Sequence, residues 1–394
     1  MPEYRSRKMN SNSYYGWVTK VANAVTETHP GKMVSTYAYL STELPPTTGP
    51  IPDNIVVNIT QDTSQYFDAD YEKRDIDLLK DWAKVSNNLA VYYYYGLGWH
   101  TPRYYPSIIA RTMEKLPGLN VKTFYSEAYQ QWAHVAPMLH LATRLAWDTT
   151  LDPDEIMDTW FRKMFRESAA DMRAFYDHLE AAWENRKRQG WWFQGLLRVY
   201  THLVNWLPED RNRAWELINT AFDNATDPVA KARIGWILRA HRFCHYLSKA
   251  YESADKLTPE TPELAERVGE TLDLIRRTFR SYREDIMGDP SFDHTYYIPP
   301  RMTREMTWWK GIVSDPIHRA TIKNPDVRKQ FEGDPLFDAL MESAVAKDWP
   351  NWHEFTVKES IEIYGQDGLW DRFRDMDIVD EDGNPRPDWA MGVL

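Results

Sequence analysis

The chain has 394 residues, 47 basic against 58 acidic side chains for a net charge of −11, and one cysteine. The length predicts two or three domains with a sizeable core. The single cysteine excludes an internal disulfide framework and multi-cysteine zinc modules, and the acidic excess argues against a nucleic-acid partner. No run of about 18 apolar residues is present, so no membrane span is expected. The polar start MPEYRSRKMNSNSYYG predicts no signal peptide. As it stands the chain is expected to be cytoplasmic, and exported if an upstream part exists. Aromatic residues make up 14% of it, with 18 Trp and 23 Tyr. Rings fill cores, and they also pair with the C–H faces of sugars. No G-x-G-x-x-G or Walker A motif occurs, and no cofactor is expected.

In chain order, Val18, Val21, Ala22 and Val25 predict a helix over Tyr14–Thr28, stopped by His29-Pro30-Gly31. A strand follows at Met33–Leu40, a second at Asn54–Thr60, then a helix over Asp75–Val85. A third strand, Leu89–Gly96, precedes a helix at Pro106–Leu116; a fourth, Val121–Tyr125, leads into helix as far as Trp147. Strands alternating with helices are the pattern of parallel βα units. From Asp152, a predicted N-cap before Pro153, the strand pattern stops, and helices are predicted at about 168–187, 192–206, 211–223, 228–253 and 261–287.

A complete (β/α)8 barrel needs roughly 250 residues. The expected fold is therefore α/β plus all-α. A partial (β/α)8-like barrel of about four βα units covers 1–150, a helical domain 151–287, and a mixed helical and irregular extension 288–394.

Barrel enzymes carry their chemistry at the C-terminal ends of strands. There, FYSEAYQQW places Glu127 among Tyr125, Tyr129 and Trp132. Poor solvation suits a carboxyl for general acid or base work; the alternative is a helix cap or an ion pair. Asp62, just past the second strand, is either a turn or N-cap residue or the second carboxylate that glycoside hydrolysis requires. Of Tyr92–Tyr95, two rings are expected on each side of the strand. Tyr95, Trp99, His100 and Arg103 are further candidates for ligand contact, with Trp99 as a stacking platform. His241 and His245 share a helix face, but with no H-E-x-x-H motif they are read as packing, and no metal site is expected. Trp191-Trp192-Phe193 and Trp308-Trp309 are read as core at helix starts.

Taken together, WVTKVANAV, TYAYL, PPTTG, PDNIVVNIT, DWAKV, YYYYG, PRYYP, FYSEAYQQW and HLATRLAWD resemble a bacterial glycoside-hydrolase-like family, domain of unknown function 4838, over about residues 12–255. That family is similar to α-glucuronidase-type barrel proteins. The resemblance implies a (β/α)8-like barrel with a helical C-terminal domain, a polysaccharide or uronic-acid-containing glycan as ligand, and Glu127 as candidate base. Relatives carry further strands upstream of the first helix, so an N-terminally truncated chain, self-association, or a partner completing the barrel is expected. The expected function is that of a glycoside hydrolase-like protein; the alternative is a non-catalytic carbohydrate-binding or scaffold protein.

Overall fold

The computed structural model describes residues 10–96, 102–128, 132–185, 203, 206–287 and 298–346, with the backbone alone at 96, 287, 298–309, 345 and 346. Four strands, β1 (Val34–Ala38), β2 (Ile55–Thr60), β3 (Leu89–Gly96) and β4 (Val121–Ala128), form one parallel sheet in the order β1-β2-β3-β4. Parallel neighbours in sequential order require crossovers of one hand, which place their helices on one side of the sheet. Strand alternation separates the two faces. Ala38, Ile55, Val57, Ile59, Leu89, Val91, Tyr93 and Tyr95 are buried on one. The other carries Ser35, Tyr37, Asn58, Tyr92, Thr123 and Tyr125, and Tyr37 and Tyr125 are 50% and 54% exposed. Among the described residues this is a singly wound sheet with an open face. Strand existence and order agree with the sequence reading, and among the described residues the sheet ends at four strands.

Helix α1 (Ser11–Thr28) packs on β1, and Tyr15 on its buried side donates to the Thr42 carbonyl at 2.9 Å. Helix α2 spans Ala69–Ala83, two turns earlier than Asp75, because Asp68 accepts from the Tyr71 amide and caps it there. Trp82 of α2 lies edge-on to Tyr15 at 5.0 Å and donates to the Glu43 carbonyl at 2.8 Å, tying α1, α2 and the loop after β1 together. Helix α3 (Pro106–Lys115) starts on a proline, whose missing N–H costs nothing at that position. Helix α4 (Trp132–Trp147) lies against β3 and β4.

After Asp152, which caps α5 (Pro153–Phe165) by accepting from the Asp154 and Glu155 amides, no strand occurs among the described residues. Helices α6 (Ala169–Glu184), α7 (Pro208–Asn224), α8 (Pro228–Asp255) and α9 (Leu264–Ser281) follow, successive members packing side by side. Helix α8 is the hub: it also touches α4, α5 and α10 (Ile298–Ile322). Trp308 and Trp309 lie within α10 rather than at its start. Helices α11 (Pro325–Phe331) and α12 (Pro335–Ala346) close the described chain. The helix expected at 192–206 and the Trp191–Phe193 cluster lie outside the described residues, apart from the helical Leu203 and the buried Trp206. No described helix is long and apolar enough to cross a membrane.

His241 and His245 are buried in the core with Ile234 and Leu238, in line with the packing reading. His241 meets His134 of α4 at 3.2 Å, and His245 stacks on Trp215 with ring centres 4.5 Å apart. Among the described residues no group of three or more metal-ligating side chains forms.

Candidate functional site

Strand β4 runs three residues beyond its predicted end, so Glu127 stands on the strand and not after it. With Tyr125 it projects on the open side. Tyr92 lies directly across from Tyr125 in the register of β3 and β4. The two rings stack with centres 4.6 Å apart and planes 26° off parallel. Tyr37 of β1 meets Tyr92 edge-on at 5.6 Å, and Tyr94 meets it at 5.3 Å. The result is a band of phenol rings across the sheet. The Tyr92 hydroxyl donates to Glu127 Oε1.

Between Tyr93 and Gly96 the pairing of β3 with β4 is irregular. Ser126 uses its hydroxyl there to accept from the Tyr95 amide at 3.0 Å. Bulges of this kind re-aim side chains beside functional sites. Tyr94, just above, is driven to a higher pKa, first by burial and then by Tyr39, Glu127, Tyr92 and Asp62. Both candidate carboxylates thus lie within electrostatic reach of one phenol.

Asp62 occupies a different environment. It is fully buried and caps the 3-10 turn Thr63–Gln65, accepting from the Ser64 amide at 3.2 Å and the Ser64 hydroxyl at 2.7 Å. Arg103, 1% exposed, donates to Asp62 Oδ1 at 3.1 Å and to the Ser64 hydroxyl. The Arg103 guanidinium also lies over the Trp183 ring at 5.3 Å, and the Trp183 indole donates to the Ser64 carbonyl at 2.7 Å. Asp62 is therefore both the N-cap weighed in the sequence reading and one half of a buried ion pair. No described contact links it to Glu127.

The expected ligand residues fall into three groups. Tyr95 and Arg103 are buried under the helices, Tyr95 against Tyr93, Tyr105 and Phe124. Trp132, at the first turn of α4, is 42% exposed and available to a ligand. Trp99, His100 and Tyr129 lie outside the described residues. Tyr37, Tyr92 and Tyr125 were missed as a set, although alternation in YYYYG and FYSE already places Tyr92, Tyr94, Tyr125 and Glu127 on one side of their strands.

Residues 2–177 match the family described as Domain of unknown function (DUF4838). The match covers the sheet, helices α1–α5 and most of α6, and it ends well short of residue 255, where the resemblance was expected to stop. No curated protein and no solved structure matches the chain.

Proposed function

We propose that the open sheet face binds a carbohydrate chain and that Glu127 serves there as the acid or base of glycosidic-bond hydrolysis. The supporting observation is the carboxylate of Glu127 beside the exposed ring of Tyr125 and the Tyr92–Tyr37 band. Phenol rings offer flat apolar surface to the C–H faces of a pyranose and hydroxyls to its polar edge. A carboxyl group at the edge of such a surface stands where a bound glycosidic oxygen or anomeric carbon would lie. The ligand class is polysaccharide or a uronic-acid-containing glycan, as the resemblance implies.

A second reading, glycan binding without turnover, is favoured by Asp62. Glycoside hydrolysis needs two carboxyl groups about 5–5.5 Å apart for retention or about 6.5–9.5 Å for inversion. Asp62 is instead held inside the fold by Arg103.

Soluble polysaccharides and a panel of 4-nitrophenyl pyranosides, uronides included, separate the two. Hydrolysis predicts turnover that Glu127→Gln lowers by about 1000-fold while binding persists. Binding alone predicts no turnover and an affinity reduced about tenfold by Tyr125→Ala. Glycan binding absent from every member of the panel would sink both.

A further inference from the structure

The acid–base group of the proposed site has a fixed neighbour. We infer that Tyr92 is the positioning residue of Glu127: its phenol donates to Oε1 and holds the carboxyl in one orientation. This rests on the reading of Glu127 given above.

Two observations carry it. The hydrogen bond from the Tyr92 hydroxyl to Glu127 Oε1 joins adjacent strands, so sheet pairing sets its geometry. The Tyr92 ring has little freedom to swing away, stacked on Tyr125 at 4.6 Å and touched by Tyr37 at 5.6 Å and Tyr94 at 5.3 Å.

Crystal structures and kinetics of the full chain provide the test. The Glu127 carboxyl holds one orientation in the parent and takes more than one in Tyr92→Phe. Where glycan turnover is present, Tyr92→Phe lowers kcat by about tenfold while KM changes by less than about twofold. A Glu127 carboxyl that keeps the parent orientation in Tyr92→Phe, or turnover unchanged in that variant, overturns the positioning role and leaves hydrolysis by Glu127 standing. Turnover unaffected by Glu127→Gln removes the hydrolytic reading and leaves the orientation result standing.

Discussion

Asp62 and Glu127 are both carboxylates near strand ends, and they differ in the partner each meets. Asp62 is sealed against a guanidinium at 3.1 Å, with both side chains almost fully buried. Removing one member of such a pair strands the other charge away from water. Arg103→Leu is therefore expected to destabilise the fold by about 3–5 kcal/mol in urea melts, and the Asp62→Asn, Arg103→Leu double variant to recover much of that. A double variant no more stable than Arg103→Leu alone would show that the cost comes from lost packing on Trp183. Glu127 faces the open side, so its replacement by Gln should leave the urea midpoint within about 0.5 kcal/mol of the parent.

Within one strand the same residue type does two jobs. Tyr93 is fully buried under the helices, while Tyr92, its neighbour, is half-buried on the open face. Deleting a buried aromatic ring leaves a cavity, so Tyr93→Ala is expected to cost about 3–5 kcal/mol. Tyr125→Ala, at a ring more than half exposed, should change stability by about 0.5 kcal/mol or less while weakening the proposed glycan binding. Equal destabilisation by the two would contradict the assignment of faces. Among the helices, Asp152 accepts from two amides of the first turn of α5 at 2.9 and 3.5 Å. Asp152→Ala should cost about 1 kcal/mol by the same measurement.

At the scale of the molecule, buried titratable groups set the response to acid. Burial lowers the pKa of His134 and His245 to about 3, and that of His241 well below its ordinary value. The stability from holding them neutral is full above the unfolded value of about 6.5 and is lost as pH falls from there toward 3. Asp75 works in the opposite sense. Burial outweighs its pairing with Arg74 and raises it to about 6. Its contribution is full below the unfolded value of about 3.9 and is lost as pH rises through 6. Between pH 6 and pH 4 these four groups leave the unfolded chain binding about two more protons than the folded one. Stability then falls by about 2–3 kcal/mol per pH unit. Urea midpoints should be flat from pH 8 to pH 7 and drop steeply below pH 6. Asp75→Asn should steepen that drop, and a midpoint constant down to pH 4 would refute it.

Periodicity and caps alone located all four strands in order, the helices α1 to α4 before, between and after them, and, among the described residues, the change to helix without strand at Asp152. These follow from local preference and from which positions must avoid water, and both are written in consecutive residues. Alternation also foretold that Tyr92–Tyr95 would divide between two faces. Local chemistry did not say which face would stay open, because that depends on the hand of the crossovers and on where the helices lie. It named Arg103 as a ligand residue, whereas in the fold it neutralises a carboxylate 41 positions earlier in the chain. It left Tyr37, Tyr92 and Glu127 unconnected, because their proximity is set by strand register across three chain segments. The residue types that suit a sugar site were present in the sequence. Which of them face one another was decided by parallel pairing, since that alone brings distant residues to hydrogen-bonding range.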